Sequence, residues 1–391
     1  MNVCRTTFLW LGLIAPLAGL AAEPVPAFDA AIRELGREWL AENDGVGLSI
    51  GIYENNQRHF YNFGATQLDG NKTPTKDTIY EIGSIAKTMT GQLLARAVIE
   101  GRAALDDVAE KYLDEPYPNL EGGGEKLQLV HLANMTSQLL DNIPDLSQVR
   151  NVPGESLVVT RMRVLERYKR TDFLSQLHVV APRRLPGIDL SPSNVASMVL
   201  GVALEKIYGE RFPVILAREI EKPLRMGSGT APPAKLLARG YTDNNEALPP
   251  FSAPTQYPTA SLRYSTDDLL KYAAWQMVER DASVKLAHRP TWTTPDKREA
   301  VALFWIIGES PAGRRLQYSG GTYGFASFCD LYPEARVAIV LLANKAADGA
   351  QATLRAMSAK IVELAAPVKL ATPDSSVSPS PSSADVPPPG R

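Results

Sequence analysis

The chain has 391 residues, 45% of them hydrophobic and 21% charged, with a formal net charge of −2. That is ordinary globular composition, with enough length for a large core. Near-neutral charge with interspersed signs gives no sign of the basic face that nucleic acid or an acidic lipid surface requires, so no nucleic-acid partner is expected.

Residues 1–22 read as an export signal. Arg5 supplies the positive start, Phe8 to Leu20 is a short apolar run broken by Pro16, and Gly19, Ala21 and Ala22 offer small residues before Glu23. The run is shorter than the ~20 residues a membrane-spanning helix needs. A cleaved signal, a periplasmic location and a mature chain without a membrane span are therefore expected. Cys4 lies in that signal, which leaves Cys329 as a lone cysteine in an apolar run and excludes an intramolecular disulfide.

The mature chain opens on a helical pattern through Phe28, Ile32, Leu35 and Leu40. Gly45 to Tyr53 reads as a strand, Asn55-Asn56 as a turn, and His59 to Phe63 as the hairpin partner. Ile85 to Glu100 is a helix ended by Gly101. From about Leu105 to Leu286 helices and loops dominate, with Leu127–Ala133, Asn194–Ile207, Pro213–Leu224 and Thr266–Val278 as helices. Strand signals return at Val301–Ile307, Phe325–Tyr332 and Val337–Ala343, the last two flanking Pro333-Glu334. Ala350–Leu364 is a closing amphipathic helix. Strands at both ends with helices between them predict an α+β fold: one antiparallel sheet built from both chain ends, flanked by helices, with a mostly helical half inserted. The cleft between the halves is the natural site. One domain over residues 23–370 follows. Residues 371–391, rich in Pro, Ser and Ala, are expected to be disordered.

The strongest chemical signal is Glu81-Ile82-Gly83-Ser84-Ile85-Ala86-Lys87-Thr88. Ser84 stands where a helix begins, and a spacing of three puts Lys87 on the same face. A serine hydroxyl needs a base, and desolvation of a lysine favours the neutral amine that can serve as one. The helix N-terminus adds positive potential where an oxyanion would develop.

In its context the stretch Thr78 to Gly91, TIYEIGSIAKTMTG, resembles the active-site segment of the class C β-lactamases and their penicillin-binding relatives. The resemblance continues through Gly101–Asp107 and Leu129–Ala133 with Thr136-Ser137, and covers about Phe28 to Leu364. Two further segments carry it. Pro186-Gly187 is followed, at the family's spacing, by Asn194, which the resemblance makes a ligand of the substrate amide. The family's proton-transferring tyrosine is here Pro192, with no titratable group. Tyr318-Ser319-Gly320-Gly321 stands where the family has Lys-Thr-Gly or His-Thr-Gly, so Tyr318 replaces the cation while Ser319 keeps the hydroxyl. The resemblance implies a β-lactamase/transpeptidase-like fold and a Ser84 acyl-enzyme with Lys87 as base. It makes Asn194, Tyr318, Ser319 and Gly321 the substrate-binding residues and the Ser84 and Gly321 N–H groups the oxyanion donors. The expected partner is a small β-lactam or peptidoglycan-like substrate, and the expected state a monomer.

The Ser84 segment is closer to the class C enzymes than to the Ser-x-x-Lys esterases, which places β-lactam hydrolysis first. A D-alanyl-D-alanine carboxypeptidase or endopeptidase, a carboxylesterase that needs no cation at position 318, and a catalytically dead binding protein are the alternatives. No cofactor is expected. The losses at 192 and 318 leave a divalent metal such as zinc as an alternative source of charge and activated water, although no ligand set is visible. Other patterns read as structure. Gly47-Leu48-Ser49-Ile50-Gly51 matches G-x-S-x-G but continues as strand instead of turning into a helix. His59, His131, His178 and His288 lack metal spacing, and Trp275, Met277 and Trp305 read as core. Asn344 and Lys345 either reach the cleft or merely end the last strand.

Overall fold

Val337–Ala343 is apolar at every position because both faces of its strand are covered. A computed structural model describes residues 28–366; the expected signal, Cys4 and the tail from 371 lie outside the described residues. Successive side chains of a strand point to opposite faces. Val337, Ile339, Leu341 and Ala343 accordingly join one core, and Ala338, Val340 and Leu342 the other.

This strand lies inside an eight-stranded antiparallel sheet. The order is Gln57–Gly64, Gly47–Glu54, Val337–Ala343, Ala326–Tyr332, Gly313–Gly321, Ile306–Ser310, Ala300–Val301, Trp292–Thr293. The N-terminal hairpin pairs directly with the last strand, from Leu48 opposite Ala343 to Glu54 opposite Val337. The sheet is therefore built from both chain ends, as the element order implied.

The terminal helices Asp29–Glu42 and Ala350–Ala365 cover one face, burying Ile32, Trp39, Leu354 and Ile361 against Leu48, Ile50 and Ile52. The larger core lies on the other face. There the helix Thr266–Gln276 packs on the sheet, and the helix Ala86–Ile99 is buried through most of its length against helices that include Asn194–Tyr208 and Ala282–Ala287. Its Gly91 is a packing requirement, since a Cβ there would come 2.6 Å from the Leu303 carbonyl oxygen.

Two expected elements are divided. Val301–Ile307 is not one strand: Ala302–Trp305 leave the ladder between Ala300–Val301 and Ile306–Ser310. Phe304 adopts φ 66°, and its N–H donates to the Ala133 carbonyl at 2.7 Å. The excursion buries Leu303, Phe304 and Trp305 in the larger core, which alternation along one strand would not do. The expected helix Pro213–Leu224 is α-helical over Phe212–Leu216 and widens to a π-turn over Ala217–Glu221. Within the helical half, Leu157–Arg167 and Arg170–Leu177 form two further helices.

Candidate active site

Ser84 sits in the single 3₁₀ turn Gly83–Ile85 that leads into the helix Ala86–Ile99. Glycine is needed on either side of this turn. Gly83 has φ +53°, and a Cβ on it would lie 2.4 Å from the Gly321 nitrogen. A Cβ on Gly320 would lie 2.2 Å from the Ile82 carbonyl oxygen and 3.0 Å from the Ser84 nitrogen. Backbone thus meets backbone where the Ser84 turn crosses the end of the strand Gly313–Gly321. The Ser327 hydroxyl donates to the Ile82 carbonyl at 2.7 Å and locks the crossing. This brings the Ser84 and Gly321 backbones to one spot.

Lys87 is buried, and its Nζ donates to Ser84 Oγ at 2.7 Å. Burial lowers its pKa from 10.5 to about 8, opposed by the nearby Asp141 carboxylate. No carboxylate approaches Nζ within the 4.0 Å of an ion pair among the described residues. A neutral Lys87 can reverse the hydrogen bond and accept the hydroxyl proton, which is the step a nucleophilic serine requires.

Glu81 braces the same corner from beneath. Its carboxyl accepts from Phe251 N at 2.8 Å and from the Thr322 hydroxyl at 2.7 Å, and burial raises its pKa to about 7. Thr322 follows Gly321, so this buried acid ties the Ser84 segment to the strand end.

A cavity of about 540 Å³ adjoins the crossing, within the size range of small-molecule sites. Gly321, Thr322, Tyr323, Asn194, Phe251 and Arg161 are among its walls. Asn194 starts the helix Asn194–Tyr208, which Ser193 caps by accepting from Ala196 N at 3.0 Å. Its amide donates to Asn142 Oδ1 at 2.8 Å and accepts from Thr259 at 2.7 Å, which fixes its orientation. Ser319 is partly exposed, and its hydroxyl makes no hydrogen bond among the described residues.

Tyr318 differs from its expected place. Its ring is buried, its hydroxyl donates to Met135 Sδ at 3.6 Å, and it forms no part of the cavity wall. Burial raises the pKa of the phenol, so it is held as an acid with no tendency to accept a proton near neutral pH.

The remaining candidates resolve into structure. Ser49 is buried within a strand, its hydroxyl 2.8 Å from both Asn62 Oδ1 and the Tyr80 hydroxyl. Lys345 pairs with Asp44 at 2.6 Å, and Asn344 donates to the carbonyls of Ala65, Thr66 and Arg239; both end the strand and secure the first hairpin. His288 is buried between Glu279 and Gln276, His178 stacks on Tyr117, His59 packs edge-on to Phe28, and His131 caps its own helix. Among the described residues no group of three or more His, Cys, Asp or Glu is arranged to hold a metal ion. No residues can therefore be named for the zinc alternative.

Sequence reasoning missed Arg161 and Asp141 as residues of this neighbourhood, and it gave no role to Glu81 within the Ser84 segment. Arg161 lies on the helix Leu157–Arg167 with Leu165 one turn on, and both line the cavity. The available signal was Ser156, an N-cap whose side chain accepts from Val159 N, ahead of an apolar run.

A family model described as Beta-lactamase matches residues 28–363. The chain is 24% identical over 346 residues to the D-alanyl-D-alanine-carboxypeptidase/endopeptidase AmpH of Escherichia coli (strain K12), covering 83% of this chain and 87% of that protein. It is 23% identical over 348 residues to a β-lactamase of Pseudomonas fluorescens, covering 78% of this chain and 90% of the relative. Among solved structures, a class C β-lactamase from Rhodobacter sphaeroides superposes with a TM-score of 0.70 at 20% identity, over 85% of this chain and 99% of that one. A β-lactamase/D-alanine carboxypeptidase from Pseudomonas syringae gives 0.70 at 18% identity, over 87% and 98%.

Proposed function

The chain belongs to the β-lactamase family of serine hydrolases, and from that premise we propose that it opens the amide of β-lactams through an acyl-enzyme on Ser84. The observation that carries the reading is the 2.7 Å contact between Ser84 and a lysine whose burial holds its pKa near 8.

The steps follow from the groups in place. Ser84 Oγ attacks the carbonyl carbon as its proton passes to Lys87 Nζ. The oxyanion forms beside the N–H groups of Ser84 and Gly321, at the positive end of the nucleophile helix. The intermediate collapses by breaking the C–N bond, and the Lys87 ammonium returns its proton to the departing nitrogen. In a lactam that nitrogen stays tethered and the ring is opened. Water then attacks the Ser84 ester with its proton passing to Lys87, the C–O bond to Ser84 breaks, and Lys87 returns that proton to Ser84 Oγ, which regenerates the starting pair. Pro192 has no proton to exchange, and Tyr318 keeps its own, which leaves Lys87 as the titrating group at the nucleophile.

A second reading, D-alanyl-D-alanine carboxypeptidase or endopeptidase, is supported by the likeness to a relative named for that activity. It uses the same steps on a peptide amide. Export rests on residues 1–22; no helix among the described residues is long and apolar enough to cross a membrane. Incubation with a slow β-lactam followed by peptide mass spectrometry tests the nucleophile. An adduct on the Ser84 peptide, absent in Ser84→Ala, is expected. An adduct elsewhere, or full activity in Ser84→Ala, overturns the assignment. Turnover of a β-lactam panel against a D-Ala-D-Ala peptide and a short aryl ester then separates the substrate classes.

A further inference from the structure

A carbonyl carbon under attack by Ser84 carries three groups. Its oxygen meets the N–H groups of Ser84 and Gly321, and its leaving nitrogen takes a proton from Lys87. The third group is the acyl portion. The cavity at the crossing has Gly321 and Asn194 in its wall but neither Lys87 nor Tyr318, so it faces the acyl portion and not the leaving amine.

Two features of the cavity bear on what it selects. Phe251 and Tyr323 meet edge to face with ring centroids 5.9 Å apart, and they offer apolar surface. Beside them is a cation. Arg161 is partly buried, and its Nε is shielded from solvent without a hydrogen-bond partner among the described residues. Its charge opposes the effect of burial on the Tyr323 phenol, which puts the guanidinium close to that wall. No carboxylate lies within 4.0 Å of it among the described residues, whereas its neighbour Arg163 pairs with Glu155. Asp145 is the acidic residue in the same wall, but it is exposed, and its carboxylate accepts from the Ser147 N–H and hydroxyl at 2.8 and 2.9 Å. A shielded guanidinium nitrogen without an acceptor is costly, because its hydration has been removed and not replaced.

We propose that this cavity holds the acyl portion of the substrate and that Arg161 makes it selective for acyl groups bearing a carboxylate. The planar fork of a guanidinium takes a carboxylate through two parallel hydrogen bonds, and the aromatic pair covers the apolar remainder. Two sources have this chemistry: a β-lactam with an acidic side chain, and a peptide with an acidic residue ahead of the scissile bond.

The inference rests on the acyl-transfer reading, and its test is separable from it. Benzylpenicillin and its α-carboxy derivative differ only by a carboxylate on the acyl side. Acetyl-Gln-D-Ala-D-Ala and acetyl-Glu-D-Ala-D-Ala form the corresponding peptide pair. Both pairs are assayed on wild type, Arg161→Gln and Arg161→Lys. The acid-to-neutral ratio of kcat/KM should fall by about 10- to 100-fold in Arg161→Gln, mainly through KM, and recover in part in Arg161→Lys. Both members of a pair meet the same protein, so any loss of folded enzyme cancels in the ratio. The pair whose ratio responds identifies the source of the acid. In the Ser84→Ala background, calorimetry of the two acids should show Kd weakened by a similar factor for that source when Arg161→Gln is added. This arm needs no acylation, so it decides the role of Arg161 even if Ser84 is not the nucleophile. Ratios unchanged in both pairs, or a Kd unchanged for both acids, would overturn the proposal.

Discussion

Acylation should follow the ionisation of Lys87, and the perturbation that exposes this is pH. A drop in pKa from 10.5 to about 8 raises the neutral fraction at pH 7 from about 0.03% to about 9%, roughly 300-fold. The net shift, burial less the opposing Asp141 charge, thus accounts for about 3 kcal/mol of its readiness to accept the Ser84 proton. The second-order acylation rate should climb about 50-fold from pH 6 to pH 8, as the neutral fraction goes from about 1% to about half, and flatten by about pH 9. The assay is rapid mixing with a slow β-lactam and quantitation of the Ser84 adduct at each pH, which reports the free enzyme. Lys87→Ala, measured on the plateau, should be slower by about 10²–10⁴-fold. A flat profile between pH 6 and 9, a midpoint near 10.5, or a loss below about tenfold in Lys87→Ala would refute the reasoning.

Four other outcomes are expected. Asp141→Asn removes the carboxylate that raises the Lys87 pKa, so the rising limb of the profile should move to lower pH; an upward move would contradict the geometry. Lys87→Met should stabilise the fold at pH 7 by about 2–3 kcal/mol in denaturant titrations. The depressed amine leaves the unfolded chain holding the extra proton between about 8 and 10.5, so wild-type stability rises through that window and the variant's advantage should vanish above it. Glu81→Gln should behave in the opposite sense. The raised carboxyl, at about 7, makes wild-type stability fall between the unfolded value of 4.5 and 7, so the variant's gain should be near zero at pH 4 and about 1–3 kcal/mol above pH 7. Gly320→Ala places a Cβ 2.2 Å from the Ile82 carbonyl oxygen, and acylation should fall at least tenfold from displaced oxyanion donors; wild-type rates in that variant would show that the crossing tolerates a shift.

The parts legible in the sequence are those where local pattern and tertiary role coincide. The spacing of Ser84 and Lys87 needs only a helix to become a contact, and the helix is there. Strand signals at both chain ends implied one antiparallel sheet, and Val337–Ala343 pairs with the first hairpin accordingly. Val301–Ile307 misled because its apolar residues satisfy a core reached by leaving the sheet at Phe304, which alternation cannot reveal. Tyr318 was placed correctly in its strand, but the direction of its hydroxyl depends on Met135, distant in sequence. Arg161 was invisible for the same kind of reason. That no carboxylate among the described residues pairs with it becomes visible only when every neighbouring carboxylate has been located.

The pairing of the first hairpin with the last strand sets an order of events for the chain. Leu48–Glu54 pairs early with its hairpin partner Gln57–Gly64, but it can find its second hydrogen-bonding neighbour only after residues 337–343 exist, a loop of nearly the whole domain. Contacts of such sequence separation close slowly, because the chain entropy of the loop is lost before the pairing can compensate. Until then the apolar residues Leu48, Ile50 and Ile52 have neither the neighbouring strand Val337–Ala343 nor the helix Ala350–Ala365. A chain halted before Val337 should therefore remain open and protease-sensitive however well its central helices form, and completion should register as one late, cooperative step.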